Sequence, residues 1–269
     1  MKRNSFWQYW TIFAITAIIA GFIIIRCLFL ECFRVRGASM EPTLRPGATV
    51  FVEKMTLGAR VDRTPFRNSG TGCIRLPGTG RLRPGDIVVC NSPEGGGPGV
   101  IKINSDTVLV KRCIGTPGDT VRIVRGFYLN SSAPGFILCP AETQKRLSLL
   151  TPRQIDSIQT FKYTLPGVPW SVIDFGPMVV PSKGTTILFD SLTVNVYSAA
   201  VQYETGDRPI IGQSYTFRND WYFIGGDNVL NSRDSRYFGP VPEEFIIGRV
   251  LTHKRSHTKA RNKYYRNSP

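Results

Sequence analysis

Histidine is almost missing from this chain of 269 residues. There are two, His253 and His257, and both fall in a basic C-terminal stretch. A Ser-His-Asp or Cys-His arrangement needs an imidazole held rigidly beside its nucleophile, and a tail of that composition does not hold one. Zinc-ligand spacing, a Walker loop and a G-x-G-x-x-G run are absent too, so neither a metal nor a nucleotide cofactor is expected. The six cysteines (Cys27, Cys32, Cys73, Cys90, Cys113 and Cys139) form no C-x-x-C pair. A disulfide such as Cys73 to Cys90 suits an oxidising compartment, but spacing alone does not establish it. Acidic residues are scarce, 19 against 34 basic ones, for a net charge of +15. That excess calls for an anionic neighbour, either lipid headgroups or nucleic acid.

The abundant residues point to a β-rich domain: 26 glycines and 19 prolines favour strands and turns over a helical bundle. One apolar run, FWQYWTIFAITAIIAGFIII from Phe6 to Ile25, has about the 20 residues that cross a bilayer core. Trp7, Tyr9 and Trp10 stand at its start, where an interfacial aromatic belt belongs. Its exit is bulky and charged (Arg26, Glu31, Arg34, Arg36) and lacks the small-x-small pattern of a cleaved leader, so it reads as a retained anchor. Lys2 and Arg3 favour a cytoplasmic N-terminus, but Arg26, Arg34 and Arg36 compete, and charge counting leaves the orientation open.

After the anchor the chain reads as β. ECFRVRG and ATVFVEK alternate, RPGDIVVC is a turn feeding a buried strand, and SDTVLVKRCIGTPGDTVRIV is strand, turn, strand. Residues 127–220 differ in character. LSLLTPRQIDSIQ is the best helix candidate outside the membrane, broken near Pro152, and TTILFDSLTVNVYSAAVQY follows as strand-like pieces. The expected division is 1–5 as a short N-terminal segment, 6–30 as anchor, 31–126 and 221–250 as core, 127–220 as an inserted subdomain dispensable for chemistry, and 251–269 as a basic tail.

Three stretches carry candidate chemistry. In GASMEPTLRPG (37–47), Ser39 lies among small residues, while Pro42 and Pro46 fix the chain direction. That arrangement suits a nucleophile approached by an extended peptide; alone, it is also an ordinary turn serine. Lys111 follows the apolar run Val108 to Val110, and strand alternation puts it on one face with Leu109 and Cys113, with Arg112 opposite. A free lysine, with a pKa near ~10.4, is no base at neutral pH, and holding it neutral at pH 7 costs roughly 4–5 kcal/mol. Burial among apolar side chains supplies a shift of that order, about 3–5 units. Alone, a Lys-Arg pair on a strand edge also serves solubility. The third stretch, GDNVLNSRDSRYFG (226–239), gathers Asp227, Ser232, Asp234, Ser235 and Arg236. A neutral amine needs an orienting acceptor, and Ser232 or Ser235 offers one without charge. A carboxylate touching Lys111 would keep it protonated, so Asp227 and Asp234 are expected to pair with arginines instead.

GASMEPTL, RPGDIVVC, VLVKRCIGTPGD and GDNVLNSRDSRYFGPV, in this order behind an anchor, resemble the bacterial type I signal peptidases, a family of Ser/Lys-dyad serine endopeptidases. The resemblance implies a mostly β catalytic domain with an inserted α+β subdomain, behind one transmembrane helix. It implies that Ser39 attacks the scissile carbonyl, that Lys111 takes its proton, and that Ser232 orients the lysine. Asp227, Asp234 and Arg236 match structural positions. Phe33, Val35, Met40 and Val110 fall where the family lines its small pockets for Ala-x-Ala ends. The implied partners are secretory preproteins and membrane lipids rather than nucleic acid. The implied location is the inner cell membrane, single-pass, with the catalytic domain extracytoplasmic. The tail's Lys254, Arg255, Lys259, Arg261, Lys263 and Arg266 would lie near headgroups, at about 1 kcal/mol per basic residue close to the surface. The alternative is a specialised Ser/Lys peptidase maturing pilin-like or conjugation proteins. Two departures stand out. Gly37 replaces a serine whose hydroxyl often helps the family's oxyanion hole, and Val229 replaces an arginine.

Overall fold

The structure is a computed structural model that describes residues 2–62, 73–97, 99–133, 140–161 and 167–254. It opens with helix α1 (Lys2–Leu28). Within it, Trp7–Arg26 has a mean hydropathy of 1.9 and is 0% buried by the rest of the chain. That uncovered apolar surface suits lipid, whose core a helix of this length crosses.

The strands follow in chain order: β1 (Leu30–Arg34), β2 (Thr49–Glu53), β3 (Arg60–Asp62), β4 (Cys73–Arg75), β5 (Ile87–Ser92), β6 (Asn104–Gly115), β7 (Thr120–Val124) and β8 (Phe127–Asn130). Then come helices α2 (Ala141–Ser148) and α3 (Pro152–Ile158), strands β9 (Phe175–Val179) and β10 (Thr186–Leu188), and helix α4 (Thr193–Thr205). Strands β11 (Ser214–Thr216) and β12 (Trp221–Gly225), the short helix α5 (Ser235–Phe238), and strands β13 (Val241–Pro242) and β14 (Ile246–Lys254) follow among the described residues. Seven strands form one sheet in the order β1-β2-β14-β5-β6-β12-β13, and every neighbouring pair is antiparallel. The mostly β architecture expected from the sequence is the one observed.

The register of β5 against β6 sorts the side chains of the site between two faces. Val88 pairs with Lys111, Val89 with Val110, and Cys90 with Leu109. Opposed residues in an antiparallel pair share a face, so Lys111 stands with Val88, Cys90, Leu109 and Cys113. Those four belong to the larger hydrophobic cluster. Val89 and Val110 face the other way, into a smaller cluster with Val35, Met40, Leu44, Val50 and Val52.

Residues 127–220 are woven into the larger cluster. β7 lies between β8 and β9 in a three-stranded sheet. The Phe175 ring sits 5.2 Å from that of Phe223 on β12. Phe175, Met178, Tyr197, Val201 and Phe217 share one cluster with Cys113, Ile114, Phe223 and Ile224. Removal of this stretch would bare one face of the central strands. The helix break expected near Pro152 is present, with Pro152 opening α3 behind a Thr151 cap and a reciprocal bond from Gln154. The strand reading of TTILFDSLTVNVYSAAVQY holds only for β10; residues 193–205 are helical. Their buried residues Val196, Tyr197, Ala200 and Val201 recur at helical spacing. The Asp190 carboxylate accepts the N–H groups of Leu192 and Thr193 at the helix start, and Gly206, at φ 88°, ends it. These end signals outweigh the β preference of Thr193, Val194 and Val196.

The tail expected from residue 251 begins later, because β14 runs to Lys254, with His253 paired to Val50. His257 and the rest of the tail lie outside the described residues, as does Cys139. Cys32, Cys73, Cys90 and Cys113 are all free thiols, so the Cys73–Cys90 disulfide does not form; Cys90 is buried within the central sheet and Cys73 lies on the separate β3–β4 hairpin.

Candidate active site

The 37–47 segment is a tight excursion between β1 and β2. The Val35 N–H donates to Ala48 O at 2.8 Å and the Gly47 N–H to Val35 O at 2.7 Å, which pinches its ends together. Met40 and Leu44 are buried and pin the excursion to the smaller cluster. Ser39, just before Met40, is half-buried.

The 226–239 loop leaves the end of β12 and straddles β6. Because consecutive residues on a strand point to opposite faces, Lys111 and Arg112 grip different parts of this loop. Lys111 Nζ donates to Ser232 Oγ at 2.8 Å. Arg112 makes a forked pair with Asp227, Nε to Oδ1 at 2.8 Å and Nη2 to Oδ2 at 2.6 Å. Thr43, from the excursion carrying Ser39, also donates to Asp227. Asp234 and Arg236 pair at 2.7 Å with both side chains 0% exposed. Both aspartates thus pair with arginines, as expected, and among the described residues neither forms an ion pair with Lys111. Ser232, rather than Ser235, is the residue that touches the lysine. The Ser235 hydroxyl instead accepts the Ile224 N–H at 3.0 Å.

Ser39 and Lys111 are tied to the same loop. The Asn228 N–H donates to Ser39 O at 2.9 Å. A Cβ placed on Gly226 would lie 2.1 Å from Ser232 Oγ and 2.5 Å from Ser39 O. Any side chain at 226 would force the Ser39 turn and the lysine's partner apart, so glycine is required there for close approach.

The electrostatics follow from burial. Lys111 is 3% exposed, and loss of water is the chief cause lowering its pKa; the nearby Asp234 opposes this, while Arg236 adds to it. Burial alone would raise the Asp234 carboxyl. The Arg236 guanidinium overrides that, with Lys111 and the Ser232 hydroxyl helping, and holds it low. The Ser232 proton goes to Asp234 Oδ2, at 2.7 Å. Ser232 Oγ therefore receives the lysine's N–H as acceptor.

Val35 and Met40 are buried, with Phe33 and Val110 packed on the same cluster, so the four residues expected to line the pockets are brought together. Val229 is buried in the larger cluster, and its carbonyl accepts from Arg236 Nη2 at 3.0 Å. Sequence reading did not single out Arg112 as the partner of Asp227, nor Thr43, Asn228 or Gly226. Strand alternation put Arg112 on the face away from Lys111, but nothing local shows that the loop would reach there.

A buried lysine, a loop hydroxyl bonded to it and a serine turn tied to the same loop lie together here. Residues 7–253 match the family model described as signal peptidase, peptidase S26. The chain therefore belongs to that family of serine endopeptidases. It is 28% identical over 254 residues to the signal peptidase I of Buchnera aphidicola subsp. Baizongia pistaciae, covering 85% of this chain and 70% of the relative. It is 27% identical over 246 residues to that of Streptococcus pneumoniae serotype 4, covering 91% of each. A crystal structure of a signal peptidase I from Enterococcus faecalis V583 aligns over 64% of this chain and 97% of that one, at 22% identity and a TM-score of 0.32, a likeness too loose to argue from. The relatives carry the general name, so the specialised pilin or conjugation peptidase is not favoured.

Proposed function

We propose that this chain removes signal peptides from secretory preproteins, with Ser39 as nucleophile and Lys111 as general base. The observation that carries the reading is a buried lysine bonded to a neutral hydroxyl at 2.8 Å instead of to a carboxylate. The neutral amine takes the Ser39 hydroxyl proton as Oγ adds to the scissile carbonyl carbon. The Ser39 N–H receives the developing oxyanion. Lys111, now charged, returns its proton to the departing amine, and an acyl-enzyme remains. The same amine then takes a proton from water, whose hydroxide adds to the ester carbon; the ester C–O bond breaks, Lys111 gives that proton to Ser39 Oγ, and the acid product leaves. Phe33, Val35, Met40 and Val110 accept the small side chains of an Ala-x-Ala-like end, and Asp227, Asp234 and Arg236 hold the loop.

Cleavage of a purified secretory preprotein in detergent tests this. Ser39→Ala is expected to lower the rate by at least ~10³-fold, the usual scale for a lost nucleophile; near-wild-type cleavage by the folded variant would remove Ser39 from the chemistry. The catalytic domain works on the extracytoplasmic side of the inner membrane, held there by the anchor, where a preprotein emerges from the bilayer. Protease added to intact spheroplasts is expected to digest the domain while a cytoplasmic control survives. Full protection of the domain would reverse the topology.

A further inference from the structure

Residue 37 is glycine, with nothing within 4 Å of where its Cβ would stand. It offers no hydroxyl to an oxyanion, so the backbone N–H of Ser39 carries that task, and its direction matters. Asn228 sets that direction. Its side-chain Nδ2 donates to Ala38 O at 3.1 Å, and its backbone N–H donates to Ser39 O at 2.9 Å. One residue thus holds the carbonyls of both peptide planes that flank the Ser39 Cα.

The peptide unit is planar and trans, so its C=O and N–H point in opposite directions. Drawing Ala38 O toward Asn228 turns the Ser39 N–H away from the 226–231 loop. Among the described residues no backbone carbonyl accepts a hydrogen bond from that N–H, which leaves it to a ligand. Ala38 O also accepts the Glu41 N–H at 3.1 Å. That bond lies within the turn and moves with it, whereas the Asn228 bond ties the turn to the loop carrying Ser232. Asn228 is itself fixed: the Asn231 N–H donates to its carbonyl at 2.9 Å, and the neighbouring Asp227 is clamped by Arg112.

We propose that Asn228 is a positioning residue for the oxyanion, aiming the Ser39 N–H through its hold on the Ala38 carbonyl. This rests on Ser39 being the nucleophile. The Asn228 bonds go to the serine turn, whereas Lys111 is held by Ser232, so the effect of Asn228 is separable from that of the base.

The test uses the full-length enzyme in detergent and a peptide substrate with an Ala-x-Ala end. Asn228→Leu keeps much of the side-chain volume but removes the donor, and Asn228→Ala serves if the leucine variant does not fold. Both keep the backbone bond to Ser39 O. The expected result is a fall in kcat of roughly tenfold to a hundredfold, below the ~10²–10³ for losing an oxyanion donor outright. KM should stay within about twofold, because the ground-state carbonyl is little held by this N–H. The acid limb of the pH–rate profile, set by Lys111, should not move.

A second readout uses a peptide aldehyde ending in the same sequence. Ser39 Oγ adds to the aldehyde carbon, the C=O π pair moves to the oxygen, and the hydroxyl proton passes to Lys111, giving a tetrahedral adduct. Its affinity should fall by the same factor as kcat/KM, while the matching peptide alcohol, which cannot form the adduct, should bind as to wild type. Unchanged kcat and aldehyde affinity in a folded variant would overturn the proposal, as would equal loss of aldehyde and alcohol binding or a shifted acid limb. Where Ser39→Ala is inactive, any of those results sinks the role of Asn228 alone. An active Ser39→Ala would sink the reading beneath it.

Discussion

Lys111→Arg is expected to abolish cleavage although it keeps a positive charge at the same place. Arginine does not give up its proton at any working pH, so the variant has a nucleophile and no base. The loss should be on the order of 10³–10⁴-fold, as for other members of coupled catalytic sets. His253 lies on β14, and His253→Ala and His257→Ala should stay near wild type. The wild-type enzyme should show the same chemistry in its pH profile. Burial lowers the Lys111 pKa from its ordinary value, and cleavage needs the neutral amine. Activity should therefore rise as pH rises through that lowered pKa and be lost on the acidic side. Stability moves in the same sense. Between the lowered folded pKa and the ordinary unfolded one, the unfolded chain binds a proton that the folded chain does not, so this group's contribution to stability grows with pH there. Initial rates against pH on an Ala-x-Ala substrate, with circular dichroism on each variant, check these expectations. A folded Lys111→Arg enzyme working near the wild-type rate would exclude a lysine base.

Arg236→Met should be severely destabilising. The Arg236–Asp234 pair is 0% exposed on both sides, and Arg236 also donates to the carbonyls of Val229 and Ser232. Removing the guanidinium strands a buried carboxylate, whose remaining partners are the Gly226 N–H at 2.9 Å, the Ser232 hydroxyl and the backbone N–H of residue 236 at 3.3 Å. Breaking a buried pair from one side costs about 3–5 kcal/mol, which denaturant unfolding of the solubilised enzyme would read directly. The same change should alter catalysis in the fraction that folds. Arg236 lowers the Lys111 pKa while Asp234 raises it. Without Arg236 the lysine pKa rises and the acid limb moves to higher pH. Stability unchanged within ~1 kcal/mol would mean that the pair contributes little beyond what water could replace.

Much of this protein is written in local patterns. The length and apolarity of Phe6 to Ile25, and alternation in ECFRVRG, ATVFVEK and RPGDIVVC, are local properties, and α1, β1, β2 and β5 appear where those patterns lie. The face of Lys111 was legible for the same reason: a strand's period of two assigns it once the strand is recognised. Finding both histidines in the basic C-terminal stretch argued against a histidine base, and the family resemblance pointed to Lys111. Other features were decided only in three dimensions. Residues 193–205 are rich in strand formers, yet they are helical because Asp190 and Gly206 bound the segment and the larger cluster takes its apolar stripe. Residues 127–220 carry none of the four motifs, yet they supply much of the packing beneath β12. That burial depends on contacts across nearly half the chain, which no local pattern records. Asn228 belongs to the same class. Its side-chain bond to Ala38 spans 190 residues, and only the fold brings the 226–239 loop against the serine turn. Motif order and its family resemblance marked Ser39 and Lys111 as candidates; long-range closure of the sheet decided which neighbours hold them in place.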